Sequence, residues 1–253
     1  MAHSVQNVRP AMQPATVISI RDLQTRCSRC GIREMCLPVG LDADALRKLD
    51  GVVTARTRVR KGQAVYRAGD AFTALYAIRL GTCKTMVLAS DGREQISGYH
   101  LVGDLLGLDG IAHERHECHA VALEDTEVCV MPFDHLEELA RAVAPLQHNL
   151  HRFLSREIGR EQHLMLMLGS MRAEARLAAF LLNLADRYRM RGYASTEFVL
   201  RMTREEIGSY LGLKLETVSR LFSRFHAEGL LQVHARTVSK LDLPALRTLA
   251  GIC

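Results

Sequence analysis

The chain has 253 residues, of which 48% are hydrophobic and 24% are charged, and its formal net charge is +5. This balance excludes a disordered or fibrous chain, and no apolar run approaches the roughly 20 residues that a membrane-spanning helix requires. The basic excess is compatible with nucleic-acid binding but is too small to predict it alone.

The first 26 residues predict irregular structure, because Pro10 and Pro14 interrupt any helix. They lack the apolar core of a secretory signal, so a cytoplasmic protein without membrane attachment is expected. The seven cysteines are many for a reducing compartment. In such a compartment cysteines are more often buried, reactive or metal-bound than paired in disulfides.

Three of the cysteines lie within ten residues, at Cys27, Cys30 and Cys36. Thiolates suit an iron–sulfur cluster, zinc or copper(I), and a four-ligand site needs one more of them. Spacing alone does not choose among the remaining cysteines, which are Cys83, Cys118, Cys129 and Cys253. A structural zinc site is the main alternative, although zinc sites more often use two CxxC pairs and this chain has one.

A short helix is predicted from about Asp42 to Leu49, and the pattern then changes. From about residue 52 to residue 131, short apolar runs alternate with glycines, and Asp91-Gly92 is typical of a tight hairpin. Regularly spaced short strands with glycine turns predict an antiparallel β-roll.

Helical periodicity begins at Phe133, and one long helix is predicted from Pro145 to about Leu168. Its seam positions are spaced by four and three residues, which is typical of a coiled-coil dimer. The seam consists of Leu150, Leu154, Ile158, Glu161, Met165 and Leu168. The same pattern also fits a helix that packs on its own domain.

Glu161 is the charged member of this seam. In a dimer its two copies would face each other, and we expect their repulsion to keep the dimer weak. The alternative is that Glu161 points off the seam and bonds a neighbour such as Arg160 or His163.

A further helix is predicted over residues 173–190, and Thr203 then begins a capping box with Glu206. Gly212 ends this first short helix, and a second follows over about residues 215–229. Two short helices joined by a glycine turn predict a DNA-binding helix-turn-helix. The run after the second helix predicts a wing of two short strands.

The outward residues early in the second helix are Glu216, Thr217, Ser219 and Arg220, with Arg224 further along. In a helix-turn-helix these first residues meet base edges in the major groove. Arginine can bind guanine with two hydrogen bonds, and glutamate can accept one from cytosine. Arg224 is better placed for a phosphate. The alternative is a solvated helix face without a ligand.

Six strings carry a resemblance to a known family: CSRCGIREMCLP, YAIRLGTCKT, EQISGYHLVGDLLGLDGI, EVCVMPF, RLAAFLLNL and MTREEIGSYLGLKLETVSRL. In these strings the chain resembles the CRP/FNR regulators, most closely the branch of fumarate-and-nitrate-reduction regulators. The resemblance implies an α+β fold with a cyclic-nucleotide-binding-like β-roll, a long dimerisation helix and a C-terminal winged helix-turn-helix. The resemblance implies four segments in chain order. Residues 1–40 would form a cluster-binding segment and residues 41–144 the β-roll. Residues 145–170 would form the dimerisation helix and residues 171–253 the winged helix-turn-helix domain.

The resemblance also implies a homodimer that binds double-stranded DNA at TTGAT-type half-sites, with Glu216, Ser219 and Arg220 reading the bases. It implies a [4Fe–4S] cluster whose fourth ligand is Cys129, in EVCVMPF, with Cys118 as the second choice. Loss of the cluster to oxygen would weaken the dimer and end specific DNA binding.

The expected function is therefore an oxygen-responsive transcription regulator that activates or represses under anaerobic conditions. Contact with RNA polymerase is expected on β-roll loops such as residues 89–93. The alternatives are a regulator of the same fold with structural zinc and no oxygen sensing, and an iron–sulfur enzyme. An enzyme is not predicted, because the sequence offers neither a nucleophile–base pair nor a phosphate-binding glycine loop.

Relatives that bind cyclic AMP carry an Arg–Ser pair where this chain has His116 and Glu117. A carboxylate there would repel a phosphate, so no cyclic nucleotide is expected to bind. Nearby His113, His119 and Cys118 could hold haem or zinc together with His116. A surface loop with several histidines is more often simply polar.

Overall fold

The computed structural model describes residues 26–88 and 94–251, together with the short strand Ile18–Ser19. The chain has an α+β fold in which a β-roll, a long helix and a winged helix-turn-helix follow one another. The predicted fold class is therefore confirmed. Within the described ranges, none of the helices combines the length and apolarity needed to cross a membrane.

Two antiparallel sheets form the β-roll. The strands of the first are β1 (Ile18–Ser19), β2 (Ala55–Val59), β4 (Ala74–Leu80), β7 (Leu105–Leu106) and β9 (Thr126–Pro132). The strands of the second are β3 (Ala64–Tyr66), β5 (Cys83–Leu88), β6 (Glu94–His100) and β8 (His119–Ala122). Their orders are β1-β2-β9-β4-β7 and β3-β8-β5-β6. Val59, Ile78, Leu106 and Val128 are buried together in the β-roll core.

Strands β5 and β6 form the predicted hairpin, with Leu88 paired to Glu94 at its tip. The predicted turn residues Asp91 and Gly92 lie outside the described residues, as does the whole of loop 89–93, where a contact with RNA polymerase was predicted.

The β-roll carries a short helix before its second strand and two helices after β9. They are α1 (Ala43–Val52), α2 (Phe133–Ala142) and α3 (Ala144–Ser170). Helix α1 begins at Asp42, whose carboxylate accepts a hydrogen bond from the N–H of Ala45 at 2.8 Å. This cap satisfies one of the free amide groups of the first turn. Helix α3 is 27 residues long, or about 40 Å.

The C-terminal part contains four helices and a small sheet. The elements are α4 (Ala173–Met190), β10 (Phe198–Val199), α5 (Arg204–Leu211), α6 (Leu215–Ala227), β11 (Gln232–His234), β12 (Thr237–Ser239) and α7 (Leu243–Ala250). The predicted helix 173–190, both helices of the helix-turn-helix and the two wing strands are all observed. Two elements were not predicted from the sequence. Strand β10 adds to the wing by pairing with β12, and Asp242 caps helix α7.

The C-terminal domain is docked on the β-roll of the same chain. The ammonium group of Lys84 lies 2.9 Å from the carboxylate of Glu206. The hydroxyl of Ser209 accepts from the N–H of Ile96 at 3.0 Å. Ile96 and the helices of the C-terminal domain share one apolar core, so β6 and α5 form a continuous interface.

Candidate metal centre and nucleic-acid interface

The structure brings the N-terminal cysteines to strand β9. Cys27 begins a 3-10 turn, Cys27–Arg29, and Cys36 follows a second such turn. The Cys27 thiol interacts electrostatically with those of Cys129 and Cys30, and the Cys36 thiol interacts with all three. We call these four side chains the thiol group. Pairing of β9 with β2 places Cys129 opposite Arg56.

Burial has the largest effect on the pKa values of Cys27, Cys36 and Cys129. Burial, followed by the charges of Cys129 and Asp50, raises the pKa of Cys27 to about 12. Burial also raises the pKa of Cys36 well above its ordinary value. It raises the pKa of Cys129 as well, although Arg56 opposes this rise by its charge and by a hydrogen bond. Metal ligation requires thiolates, so metal binding here displaces protons.

The donor set of the thiol group fits an iron–sulfur cluster, because four sulfur ligands and the neighbouring Arg56 suit an anionic group. Among the described residues, however, no group of three or more His, Cys, Asp and Glu side chains is arranged to hold a metal ion as it stands. Binding of a metal group at these thiols would require them to turn toward one another, and would then be coupled to local ordering.

Hydrogen bonds tie the cysteine segment to α1 and α3. The backbone N–H and hydroxyl of Ser28 donate to the carboxylate of Asp50 at 3.1 and 2.6 Å. The buried amide of Asn149, on α3, donates to the carbonyl oxygens of Leu37 and Val39 at 3.0 and 2.8 Å. The residues that follow Cys36 are thus held directly by the long helix.

The segment also contacts the turn that leads into β7. Gly103 has a φ of +89°, and a Cβ there would lie 2.6 Å from the carbonyl oxygen of Met35. Only glycine allows this approach without strain. The backbone next to Cys36 therefore lies against the residue before Asp104.

Asp104 joins the β-roll to α3 and α4. Its carboxylate lies 3.1 Å from Arg160, 2.5 Å from Arg187 and 3.0 Å from Arg191. Burial alone would raise the pKa of Asp104, but these three guanidinium groups outweigh it and hold that pKa well below its usual range. We call these four residues the Asp104 network.

No sequence pattern predicted this network. Arg187 and Arg191 stand four residues apart at the end of α4, a spacing that places them on one helix face. That spacing indicates two arginines on one helix face. It does not identify their partner, Asp104, because Asp104 is more than 80 residues away in the sequence.

The helix-turn-helix has the predicted local geometry. The hydroxyl of Thr203 accepts from the N–H of Glu206 at 3.1 Å, and the Glu206 carboxylate accepts from the N–H of Thr203 at 2.6 Å. Gly212 adopts a left-handed conformation with φ +62° and ends α5. Val218 is fully buried beneath the second helix, so α6 is fixed relative to α5.

Three of the predicted base-reading residues share one solvent-facing side of α6. Glu216, Ser219 and Arg220 are exposed there, whereas Thr217 is half-buried. The guanidinium of Arg224 lies 2.8 Å from Glu174 and 3.2 Å from Glu228. Its predicted phosphate contact would replace these two exposed ion pairs, which are individually weak.

The seam of α3 is divided between the core and the surface. Leu150 is buried in the core of its own chain, so the predicted dimer contact at this position is an intrachain contact in this structure. Ile158 and Met165 are 55% and 65% exposed, and Leu154 and Leu168 are half-buried. The exposed apolar side chains that follow Leu150 along α3 remain the predicted dimer surface.

Glu161 is exposed on α3, and its carboxylate forms no hydrogen bond or ion pair with another described residue. Arg160 pairs instead with Asp104 and Glu157, so the predicted alternative of a bond to Arg160 is not observed. Partial burial and the neighbouring Glu157 raise the pKa of Glu161.

The histidines of the loop before β8 do not converge. His116 is buried and stacks on Tyr66 with ring centroids 3.6 Å apart, while His113 is exposed and bonds Glu117. His119 accepts a hydrogen bond from the backbone of Ala68. These separate environments do not form a haem or zinc site in this structure.

Cys118 and Cys83 lie apart from the thiol group. The Cys118 thiol donates to the carboxylate of Asp109 at 3.3 Å, and its electrostatic neighbours are Asp109, Glu117 and Tyr66. Cys83 is fully buried in the β-roll core. Cys253 lies outside the described residues.

A cavity of about 360 Å³ lies between the β-roll and α3. Among its lining residues are Asp109, Glu117 and Glu161. Carboxylates repel a phosphate, and the absence of cyclic-nucleotide binding stays a prediction.

Comparison with known proteins identifies both halves of the chain. A model of the cyclic nucleotide-binding domain matches residues 56–142, and a model of the Crp-like helix-turn-helix domain matches residues 175–249. The transcriptional regulatory protein btr of Bordetella pertussis is 49% identical over 225 residues, which cover 89% of this chain and 93% of that protein. The fumarate and nitrate reduction regulatory protein of Yersinia pestis is 42% identical over 225 residues, which cover 89% of this chain and 90% of that protein. The structure of FixK2 from Bradyrhizobium japonicum has a TM-score of 0.71 and 32% identity, and the match covers 77% of this chain and 96% of that one.

Proposed function

Because this chain belongs to the CRP/FNR family of transcription regulators, we propose that it regulates transcription in response to oxygen through a [4Fe–4S] cluster on its thiol group. The approach of Cys27, Cys30 and Cys36 to Cys129 carries this proposal. Its relative named for fumarate and nitrate reduction supports an anaerobic role. When bound, such a cluster supplies iron and sulfide that oxygen can oxidise.

The chain's own contacts provide a route from the thiol group to the dimer helix. Cluster ligation by Cys36 and Cys129 would fasten the N-terminal segment to the β-roll. Asn149 then holds the backbone after Cys36 against α3, and α3 carries the exposed apolar seam. Ordering of the segment would therefore favour the arrangement of α3 that pairs with a second copy. A dimer can read both half-sites of a palindrome, whereas one subunit reads only one.

We propose that α6 enters the major groove, where Glu216, Ser219 and Arg220 read base edges of a TTGAT-type half-site. Thr217 and Arg224 would contribute contacts at the border of this surface. Activation would require a further contact with RNA polymerase. The homodimer and its DNA thus account for both exposed surfaces, on α3 and on α6.

Replacing Arg220 by alanine is expected to weaken specific DNA binding by about 1–3 kcal/mol per half-site, because a bidentate contact with guanine is lost. Discrimination at that base pair should fall with it. Titration of labelled half-site and mutated half-site DNA under anaerobic conditions measures both effects. Arg47→Ala, which removes an exposed arginine on α1, is the matched control and should bind like the unaltered chain.

Replacing Glu161 by alanine is expected to raise the dimer content in air. Removal of two facing carboxylates abolishes their repulsion, and the dimer dissociation constant should fall by about tenfold. Sedimentation velocity over a concentration series measures this constant. Glu138→Ala, which removes an exposed carboxylate on α2, should leave the constant unchanged. An equal profile for Glu161→Ala and the unaltered chain would contradict this role.

Purification without oxygen tests the proposal as a whole. We expect a brown protein with about four irons and four sulfides per chain, whose visible absorbance bleaches in air as specific DNA binding is lost. A colourless chain that carries zinc and does not change in air would favour the zinc alternative. In that case the DNA-binding proposal would stand and the oxygen-sensing proposal would fall.

A further inference from the structure

Arg56, on β2, lies beside the thiol group. The register of β2 against β9 pairs it with Cys129, and residues paired in this way have side chains on one face of the sheet, with Cβ atoms about 5 Å apart. Among the charged neighbours of the Cys129 thiol, Arg56 has the largest effect, and it also forms a hydrogen bond with that thiol. At Cys27 the opposite charge of Asp50 acts more strongly than Arg56. The effect of Arg56 is therefore concentrated at Cys129.

The side chain of Arg56 is more enclosed than that of the next arginine on the same strand. It is 20% exposed, whereas the side chain of Arg58 is 74% exposed. A charge with little water around it acts more strongly on its neighbours, because less solvent screens it. Arg58 lies opposite Glu127 rather than Cys129. The two arginines thus share a strand and, since they are two residues apart, a face of the sheet, but they differ in position and exposure.

Glu127 offsets only part of the positive charge next to Cys129. Its carboxylate lies 3.4 Å from Arg56, 4.0 Å from Arg58 and 2.9 Å from Arg79. It accepts a hydrogen bond from Arg79, so its closest partner is not Arg56. One carboxylate is therefore shared by three guanidinium groups, which leaves an excess of positive charge on this face of the sheet.

A positive charge at this position has a definite effect on an iron–sulfur cluster. Four thiolates outweigh the positive charge of the iron–sulfur core, so the bound group has a net negative charge. Oxygen can take an electron from the iron, which makes the bound group one unit less negative and leaves the electron on oxygen. A neighbouring positive charge stabilises the more negative form and opposes this loss. Net charge and hydrogen bonds to the sulfur atoms are general determinants of the potential of such clusters.

We propose that Arg56 is a positioning residue of the cluster site, which orients the Cys129 sulfur by a hydrogen bond and slows oxidation of the cluster by its positive charge. The inference rests on the proposed function, because it requires a cluster on the thiol group. Arg56 acts through Cys129 and is not itself a ligand. It would set how much exposure to oxygen the regulator tolerates before the cluster is lost.

The rate at which the visible absorbance bleaches in air measures this effect and does not depend on DNA binding. Full chains loaded with cluster without oxygen are mixed with air-saturated buffer at one salt concentration, and the decay is normalised to iron content. Arg56→Gln removes the charge and should bleach about tenfold faster than the unaltered chain. Arg56→Lys keeps the charge and should bleach within about threefold of the unaltered rate. Arg58→Gln removes an exposed arginine from the same strand and should bleach at the unaltered rate.

Glu127→Gln separates an electrostatic role of Arg56 from a purely structural one. Glu127→Gln and Arg56→Gln remove the same ion pair, so a structural role of that pair predicts faster bleaching of both variants. The electrostatic role predicts opposite directions, because loss of Glu127 leaves its arginines without their carboxylate. Glu127→Gln should therefore bleach more slowly than the unaltered chain. This variant also keeps the proposal testable if Arg56→Gln does not fold.

Equal bleaching of Arg56→Gln and the unaltered chain would overturn the role of Arg56, as would faster bleaching of both Arg56→Gln and Glu127→Gln. If Arg56→Gln does not fold, bleaching of Glu127→Gln at the unaltered rate or faster would overturn it. Loss of iron from a folded Arg56→Gln, with normal loading of Arg58→Gln, would support it. In each of these cases the unaltered chain is brown and the proposed function stands. A colourless unaltered chain would remove the proposed cluster, and the role of Arg56 with it, so the two failures are distinguishable.

Discussion

Replacing Asp104 by asparagine is expected to lower the free energy of unfolding by about 3–5 kcal/mol, since it removes one partner from a buried ion-pair network. Asparagine keeps the shape of the side chain but not its charge. Arg160, Arg187 and Arg191 would then face one another with no carboxylate between them. Two of these arginines have side chains that are only 8% exposed, so water cannot replace the lost partner.

Urea denaturation of the unaltered chain and of Asp104→Asn in parallel measures this difference in the free energy of unfolding. Asp186→Asn is the matched control, because its ion pair with Arg189 is exposed on the same helix, α4. The control should change the stability by less than about 0.5 kcal/mol. An equally small change for Asp104→Asn would show that the network contributes no net stability.

The pH dependence of this difference follows from the depressed pKa of Asp104, which the three arginines cause against the effect of burial. A carboxylate whose pKa is lower in the folded state contributes stability at every pH above its unfolded value of about 3.9. That contribution is lost as the pH falls below this value. The gap between the unaltered chain and Asp104→Asn should therefore be constant from pH 6 to pH 8 and should shrink below about pH 4.

The contrast between the helix-turn-helix and the Asp104 network shows which features sequence reasoning can reach. The capping box of Thr203 and Glu206 and the turn at Gly212 depend on residues a few positions apart, so their pattern is visible in the sequence. The Asp104 network joins residues 56 to 87 positions apart. Nothing in the sequence near Asp104 indicates that its turn faces the ends of two distant helices.

Only part of the thiol group could be predicted from the sequence. The three N-terminal cysteines are close in sequence, and their spacing predicts them as candidate metal ligands. Their approach to Cys129 depends on the register of β9 against β2, which places Cys129 opposite Arg56, and spacing carries no information about that register. The burial of Leu150 shows a similar limit, because a heptad pattern fixes a helix face but not which partner covers it.

Replacing Cys129 by serine is expected to abolish stable cluster binding. The iron content should fall from about four per chain to near background. Serine is almost the same size as cysteine, and Cys129 is only half-buried on β9, so the β-roll should keep its fold. The hydroxyl remains protonated at neutral pH and is a poor ligand for iron, which leaves three thiolates from a single segment. Without the ligand on β9, the segment that carries Cys36 would lose its proposed cluster link to the β-roll.

Cys118→Ser is the matched control for this change, because it removes a thiol that bonds Asp109 and not the thiol group. It should keep iron, colour and anaerobic DNA binding.

Iron and sulfide analysis, visible absorbance and sedimentation of the three proteins, all prepared without oxygen, separate the possibilities. If Cys118→Ser loses iron while Cys129→Ser retains it, the fourth ligand is Cys118. Retention of iron by both variants would mean that neither Cys118 nor Cys129 is the fourth ligand. If Cys129→Ser loses iron but still forms dimers and binds its half-sites without oxygen, the cluster does not control dimerisation, and the route through Asn149 to α3 is wrong.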